Sequence, residues 1–265
     1  MVLPSDVYYG SGAYFQNCLL GVCEPASLLG YNVLITTSNV HDISELQSLV
    51  ESNRVDGMLL TRALEDDRAL QYLSQVNFPT ALTGTCRYDN IIQVDTDNEG
   101  AAEKMTTLLI GKGFRRFAFL VKNMSYNVDR KRHEGFCRAL IKNGISEKDQ
   151  LFYNGSIRME FLDAIIENII SKKVECIICG DDEICTMVMS RLQAEGYRIP
   201  KDVAIASLYN STNLDCYSPA VTAVSVAASQ MGGAAVRQLI QRLRGENYEK
   251  KTMLDYDILF RKSTN

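Results

Sequence analysis

The sequence predicts an α/β protein made of two similar doubly wound parallel-sheet lobes. Short, nearly continuous apolar runs alternate with segments of helical spacing along the whole chain, as is typical of parallel strands covered by helices on both faces. Consecutive runs start about 20–30 residues apart, with one longer gap between 121 and 175, as parallel βαβ units require. The runs fall into two groups, one ending near residue 112 and one from about 114 to 224.

The predicted elements follow in chain order. Apolar runs predict strands at 32–37, 56–60, 79–84, 91–94, 116–121, 175–179, 203–208 and 222–226. Helical spacing predicts helices at about 14–29, 43–53, 66–76, 98–112, 130–143, 159–172, 183–195 and 228–244. The stretch GKGFRRF at 111–117 predicts the passage between the two groups, because Gly111 or Gly113 ends a helix before a new strand begins. A last strand is predicted at 254–260.

Composition excludes several classes of protein. The 265 residues are 46% hydrophobic and 23% charged, which favours a packed core over disorder. The net charge of -4 gives no electrostatic reason to expect that this chain binds nucleic acid by itself. No apolar run approaches the ~20 residues of a membrane span, and MVLPSDVYYGSG lacks the features of a signal peptide. We therefore expect a cytoplasmic protein without a membrane partner.

Eight cysteines lie mostly inside apolar segments, which suits small buried side chains in a reducing compartment. Cys176 and Cys179 form a CxxC, but residues three apart in a strand face opposite sides of the sheet. The only histidines are His41 and His133, and neither completes a metal site with usual spacing. We predict no metal and no cofactor.

An unusual density of acids follows the strand at 175–179. The stretch CIICGDDE places Asp181, Asp182 and Glu183 directly after one glycine. Ligands of open α/β sheets bind at the carboxyl ends of the strands, so residues that follow strands are candidates: Thr61, Arg62, Thr83, Gly84, 95–98, Asp181, Asp182, Tyr209 and Asn210. Each Asp or Asn just before a helix has an alternative role as an N-cap.

Two kinds of function use acids in such places. The stretches VDTDN (94–98) and IICGDD (177–182) are each an apolar strand followed by acids, as in haloacid-dehalogenase-type phosphatases that use such acids as nucleophile and magnesium ligand. Glu99 departs from that motif, and several strands precede Asp95. A binding protein fits better, because Asp, Asn and Arg side chains bond hydroxyl groups in pairs, and because Ser-His-Asp, GxGxxG and P-loop motifs are missing from the sequence.

Five stretches carry a family resemblance. They are SNRVDGMLL (52–60), VDTDNEGAAEKMTTLLIGKGFRRFAFL (94–120), RKRHEGFCRALIKNGI (130–145), CGDDEICTMVMSRLQAEGYRIPKDVAIASL (179–208) and SPAVTAV (218–224). In this order they resemble the effector-binding core of the lactose/galactose repressor family of bacterial transcription regulators. The resemblance covers nearly the whole chain.

The resemblance implies an architecture and a set of partners. It implies a fold like that of type I periplasmic binding proteins, with two lobes joined by three crossovers and a ligand cleft between them. The lobes are expected at 1–112 plus 226–252 and at 113–225 plus 253–265. The implied partners are a small-molecule effector, a second copy in a homodimer, and operator DNA. DNA would be bound through a helix-turn-helix domain that this sequence lacks, and VLPS (2–5) resembles the end of the family's first strand.

The resemblance also implies binding residues, position by position. Tyr14 and Phe15 stand where family members stack aromatic rings on the effector. Asp97 and Asp181 take the places of ligand-contacting acids, with Asp182 or Glu183 expected to cap the next helix. Arg132 takes the place of an arginine that clamps hydroxyl or carboxylate groups.

The chain departs from the family pattern at SLYN (207–210), where Tyr209 replaces an acid that often grips sugar hydroxyls. Tyr209 or, alternatively, Asn210 would then meet the ligand. Thr186, Met189 and Tyr217 are expected near the twofold axis of the dimer. The effector-binding core of a regulator is therefore the favoured function, with a solute-binding protein of a transporter as the alternative and phosphatase-like chemistry third.

Overall fold

The structure is a computed structural model that describes residues 1–4, 12–38, 42–155 and 159–265. It divides into two compact units. Unit 1 comprises Met1–Thr96, Ser125–Asn127 and Ala227–Asp255. Unit 2 comprises Asp97–Met124, Val128–Val226 and Tyr256–Asn265. Each unit contains one six-stranded sheet, so the predicted fold class is confirmed.

The sheet of unit 1 is parallel throughout, in the order β11-β5-β4-β3-β1-β2. Its strands are β1 (Val2–Pro4), β2 (Thr36–Ser38), β3 (Met58–Leu60), β4 (Thr80–Thr83), β5 (Ile92–Thr96) and β11 (Lys251–Leu254). The accompanying helices are α1 (Ala13–Leu28), α2 (Ser44–Glu51), α3 (Arg68–Gln75) and α9 (Ala228–Leu243).

Side chains of this sheet alternate between two apolar clusters. Met58 and Leu60 of β3 join the cluster built with α2 and α3, whereas Leu59 joins the cluster built with α1 and α9. Helices α1 and α9 approach closely, since a Cβ on Gly21 would collide with the backbone of Ser229. The sheet is therefore covered on both faces, as the apolar strands predicted.

The sheet of unit 2 has the order β12-β10-β9-β8-β6-β7 and is mixed, because β12 runs antiparallel to β10. Its strands are β6 (Phe117–Val121), β7 (Leu151–Asn154), β8 (Cys176–Cys179), β9 (Ala204–Ser207), β10 (Thr222–Val226) and β12 (Tyr256–Leu259). Its helices are α4 (Asn98–Gly111), α5 (Asn127–Lys142), α6 (Met159–Ser171), α7 (Asp182–Ala194) and α8 (Thr212–Cys216).

The two cysteines of the CxxC lie on opposite faces of this sheet. Cys179 packs in the cluster that contains α6 and α7, and Cys176 packs in the cluster that contains α4 and α5. Both side chains are fully buried. The prediction from strand geometry is confirmed, and it explains why this CxxC cannot chelate one ion from one face of the strand.

Several elements differ from the sequence predictions. Within the described residues, the strand predicted at 32–37 is only β2, which pairs with the three residues of β1. Strand β7 and helix α8 were not predicted. In β7 half-buried and exposed positions alternate, as expected for an edge strand, so it lacks the continuous apolar run by which the other strands were recognised.

The strand predicted at 254–260 is two strands. Lys251–Leu254 (β11) pairs with β5 in unit 1, and Tyr256–Leu259 (β12) pairs with β10 in unit 2. Only Asp255 separates them, and it is the last residue of unit 1. A single stretch of sequence thus provides one strand to each of the two sheets. The local periodicity of the sequence does not reveal this division.

The division into units also differs from the expected boundary at 112. Helix α4 lies in unit 2. Its side chains Met105 and Leu109 pack with Phe117 of β6, and a Cβ on Gly135 of α5 would collide with the α4 backbone at Glu99. The apolar face of α4 is therefore buried by unit 2, and the crossing falls between Thr96 and Asp97.

No helix among the described residues is long and apolar enough to cross a membrane.

Candidate functional site

Three helices of unit 2 begin at the carboxyl edge of its sheet. Lys122 directly follows β6, Asp181 follows β8 after one glycine, and Tyr209 follows β9 after one leucine. Helices α4, α5 and α7 begin beside these strand ends, so their free N–H groups and positive dipole ends gather there. We call Lys122, Asp129, Arg132, Asp181, Asp182 and Glu183 the carboxyl-edge cluster.

Arg132 is held rigidly in this cluster. Its side chain is only 8% exposed. Nε donates to Asn98 Oδ1 at 3.2 Å, and Nη1 donates to the Gly180 carbonyl at 2.7 Å. Among the described residues, Nη2 has no hydrogen-bond partner. Arg132 is therefore buried and is not part of a surface ion pair, and it retains donors for a further acceptor.

Asp129 lies one turn before Arg132 on α5 and is 5% exposed. Its Oδ2 accepts from the Asn123 N–H at 3.0 Å, and its Oδ1 accepts no hydrogen bond from the described residues. Burial raises the pKa of Asp129 to about 6, and the charge of Asp181 adds to this, although the Asn123 N–H, Arg132 and Lys122 favour the ionised form.

Asp181 and Glu183 share one cation. Lys122 Nζ lies 2.9 Å from Asp181 Oδ2 and also binds Glu183. Burial by itself would lower the pKa of Lys122, but these two carboxylates outweigh it and raise the pKa above the usual value for lysine. The ion pairs hold Lys122 charged and tie the end of β6 to the start of α7.

The predicted capping roles are wrong. Asp181 itself caps α7, since its Oδ1 accepts from the Ile184 N–H at 2.9 Å. Asp182, expected as a cap, is buried beside Ser211, and burial raises its pKa. The Ser211 hydroxyl is buried without completing a hydrogen bond to any described residue. One oxygen of Asp181 thus caps α7 and the other pairs with Lys122. These two structural roles account for one of the three acids that follow β8.

Asp97 also acts as a helix cap. Its Oδ1 accepts from the Gly100 N–H at 2.8 Å at the start of α4, and its side chain is exposed. The next residue, Asn98, is buried and holds Arg132. The contribution of Asp97 to ligand binding stays a prediction, whereas Asn98 has a defined role in placing the clamp.

Tyr209 and Asn210 follow β9 and behave differently. Tyr209 is buried. Asn210 Oδ1 accepts from Arg261 Nη1 at 2.8 Å, and Arg261 also binds the Val221 carbonyl and Asp215. The amide oxygen of Asn210 is therefore occupied within unit 2, and contact of either residue with a ligand stays a prediction.

Tyr14 and Phe15 belong to unit 1, at the start of α1. Their ring centroids are 5.4 Å apart in an edge-to-face arrangement. Tyr14 packs at the border of the apolar cluster formed with α9, and burial around its hydroxyl raises its pKa well above the usual value. The residues that precede them, 5–11, lie outside the described part of the chain. Their stacking role stays a prediction.

One residue expected at a dimer interface is not available to a partner. Met189 is 0% exposed and belongs to the core formed with α6. The spacing of Ile184, Val188 and Leu192 in the sequence leaves Met189 off their line on α7. In the structure the buried face of α7 is wider and also includes Cys185 and Met189. Thr186 and Tyr217 are half-buried, and Tyr217 Oη donates to the Thr186 carbonyl at 3.3 Å.

Sequence reasoning missed three members of the site. Lys122 satisfies the rule that residues after strands are candidates, but it was not singled out. Asn98 was named among strand-end residues without a role. Asp129 was overlooked although it lies three residues before Arg132, a spacing that places both side chains on one face of a helix.

No group of three or more His, Cys, Asp or Glu side chains that could hold a metal ion occurs in the described part of the chain. The paired acids and cations of the carboxyl-edge cluster instead suit a ligand that both donates and accepts hydrogen bonds.

Two α/β units with polar side chains at the carboxyl edge of a sheet define a class of small-molecule binding proteins. A family model described as "Periplasmic binding protein-like domain" matches residues 106–264, and the chain belongs to that family. The resemblance to lactose/galactose repressor-type regulators is also confirmed by individual relatives.

Among these relatives is the HTH-type transcriptional regulator CelR of Thermobifida fusca, 26% identical over 94% of this chain and 76% of its own length. A crystal structure of the transcriptional regulator LacI from Bacillus cereus subsp. cytotoxis NVH 391-98 is 26% identical, with a TM-score of 0.89 over 99% of this chain and 96% of that one. A CelR–cellobiose complex is 24% identical, with a TM-score of 0.87 over 99% and 83% of the two chains.

Proposed function

We propose that this chain is the effector-binding core of a bacterial transcriptional regulator and that its effector is a sugar or a sugar-like molecule. The observation that carries the proposal is Arg132, a buried guanidinium at the carboxyl edge whose Nη2 is unpartnered among the described residues. Because the Nε and Nη1 hydrogen bonds fix the position of the guanidinium, Nη2 is placed to donate to an oxygen of a bound ligand.

The regulators to which the chain is similar support the choice of effector class. One solved structure to which the chain is similar is a complex of a transcriptional regulator CelR with cellobiose. Sugars offer the ring hydroxyls that a guanidinium and carboxylates bond in pairs. A transporter's solute-binding protein is less well supported, because the relatives described above are transcriptional regulators.

Regulation also requires partners beyond the effector. We propose that the chain works as a homodimer and that operator DNA is bound through a separate N-terminal domain of the regulator. Effector binding would then change the affinity for DNA by favouring one arrangement of the dimer, in either direction.

A thermal-shift screen tests the effector class. Neutral hexoses, pentoses, disaccharides, amino sugars and nucleosides are each added at millimolar concentration. A ligand present at 100 times its Kd adds about 2.7 kcal/mol to the free energy of unfolding, which raises the melting temperature by a few degrees. We expect at least one sugar to give this shift. A screen in which every sugar fails, or only nucleosides succeed, contradicts the proposal.

A further inference from the structure

The carboxyl-edge cluster has more acids than cations. Its four carboxylates are Asp129, Asp181, Asp182 and Glu183, and its two cations are Lys122 and Arg132. Lys122 forms ion pairs with Asp181 and Glu183. The Nε and Nη1 hydrogen bonds of Arg132 go to neutral oxygens, those of Asn98 and Gly180. Asp129 and Asp182 therefore have no ion-pair partner of their own among the described residues, although both are buried.

Asp129 also has one carboxylate oxygen that can accept a hydrogen bond from a ligand. Its Oδ2 is used by the Asn123 N–H, whereas Oδ1 is unpartnered among the described residues. A carboxylate that is 5% exposed and accepts a single hydrogen bond is under-solvated, since an ionised carboxylate has about four acceptor sites. A positively charged donor placed at Oδ1 would replace the lost hydration most effectively.

The free donor and the free acceptor lie on the same helix face. Arg132 Nη2 and Asp129 Oδ1 belong to residues three apart on α5, so their side chains are neighbours. A ligand that reaches both must present an acceptor to Arg132 and a donor to Asp129. Adjacent hydroxyl and amino groups on a sugar ring provide that pair.

We propose that the effector carries an ammonium group that ion-pairs with Asp129, beside a hydroxyl that accepts from Arg132, and hence that it is an amino sugar. This inference rests on the proposed function. The surplus of carboxylates disfavours a ligand that carries a carboxylate or a phosphate. Such a ligand would add negative charge to a site whose carboxylates already outnumber its cations. A free amino acid or a sugar phosphate is therefore a poorer fit than an amino sugar of net positive charge.

Calorimetry on the whole chain at pH 7 compares three forms of one ring: glucosamine, glucose and N-acetylglucosamine. The same set is repeated for galactosamine and mannosamine with their parents. We expect one amino sugar to bind at least tenfold more tightly than its neutral parent and its N-acetyl form, because acetylation removes the charge while keeping the ring.

Two variants separate the charge of Asp129 from the net charge of the chain. Asp129→Asn keeps an acceptor for the Asn123 N–H but removes the charge, so the tenfold preference should fall to less than threefold. Glu134→Gln removes a carboxylate from the same helix at an exposed position that pairs with Arg130, and should leave the preference unchanged. An equal loss in both variants would mean that the net charge of the chain, not Asp129, attracts the amine.

The pH dependence gives an independent measurement. Arg132 on α5, Lys122 and Asn123 after β6, and Asp181 after β8 act on Asp129, whose pKa is raised to about 6. Protonation of Asp129 removes the ion pair, so affinity for the amino sugar should weaken about tenfold between pH 7 and pH 5. Affinity for a neutral sugar should change little over the same range.

The results distinguish this inference from the proposed function. Tight binding of a neutral sugar, a sugar phosphate or an amino acid with no preference for amino sugars would overturn the inference and leave an effector-binding core in place. Failure of all sugars, charged and neutral, would overturn both. A preference for an amino sugar that survives in Asp129→Asn would overturn the assignment of Asp129.

Discussion

At the scale of single residues, Arg132 has two tasks that two measurements on one variant can distinguish. It bonds Asn98 Oδ1 and the Gly180 carbonyl, and it offers Nη2 to a ligand. In Arg132→Lys the charge remains but the planar fork is lost, so both internal acceptors cannot be satisfied together. We expect effector affinity to fall at least tenfold and the free energy of unfolding to fall by about 1–3 kcal/mol.

Calorimetry and urea denaturation measure the two effects of Arg132→Lys. The control is Arg138→Lys, which also lies on α5 but pairs at the surface with Glu99 and Glu103. Surface pairs contribute about 0–1 kcal/mol, so this variant should bind the effector normally. If Arg132→Lys retained full affinity, the clamp would have only a structural role.

Asp129 should make folding stability depend on pH. Burial raises its pKa from 3.8 to about 6, so the folded state holds a proton more tightly than the unfolded state. The stabilisation is fully present below about pH 4 and is lost as the pH rises through 6. Asp129→Asn should therefore increase the free energy of unfolding at pH 8, on the order of 2–3 kcal/mol.

Urea denaturation of this variant and of the parent chain at pH 4, 6 and 8 tests that dependence without any ligand. The gain at pH 8 should shrink towards zero at pH 4. A variant that is less stable than the parent at pH 8 would show that the Asn123 N–H needs a charged acceptor and that desolvation is not the dominant effect.

At the scale of elements, the close approach of α4 and α5 places the site. Gly135 lies against the α4 backbone at Glu99 and Glu103, so any Cβ there would collide. Since α4 provides Asn98 and α5 provides Arg132, separating the helices would break their hydrogen bond as well as the packing.

Gly135→Ala should lower the free energy of unfolding by about 1–3 kcal/mol, because overpacked contacts force backbone shifts. Gly111→Ala is the matched control. It lies in α4, where the added methyl group would have open space within 4 Å, so it should be neutral or slightly stabilising. Urea denaturation compares the two variants, and equal stability would contradict the close packing of these helices.

At the scale of the whole molecule, dimerisation is the property on which the proposed regulation depends. Thr186 is half-buried near the start of α7, and Tyr217 bonds its carbonyl. If this surface meets a second copy, Thr186→Arg should produce monomers at micromolar concentration in sedimentation, because a stable interface does not accommodate an unpaired charge at its centre.

Thr107→Arg introduces the same side chain at an exposed position of α4 and should leave the sedimentation behaviour unchanged. A parent chain that sediments only as a monomer would refute the dimer, and a Thr186→Arg variant that remains dimeric would move the interface elsewhere.

Much of this architecture was determined by the sequence alone. The apolar runs at 116–121 and 175–179 and the helical spacing after them predicted both the strands and the helices, because burial on two faces demands continuous apolar strands. Gly196 is a helix stop signal in the sequence, and it adopts a positive φ of 81° just after α7. Arg132 was predicted to be a binding residue from the motif around Gly135; the structure shows that its side chain is buried, and its contact with a ligand stays a prediction.

Other features were decided only by tertiary structure. Residues 254–260 form two strands in two sheets because their partners, β5 and β10, are distant in sequence. Helix α4 belongs to unit 2 because Gly135 lets α5 approach it. The roles of Asp129, Asp181 and Asp182 depend on which donor each carboxylate oxygen meets. Aspartates that look alike in the sequence become a helix cap, an ion-pair partner or an under-solvated acceptor. Burial and distant neighbours decide between these roles, and the local sequence pattern does not encode them.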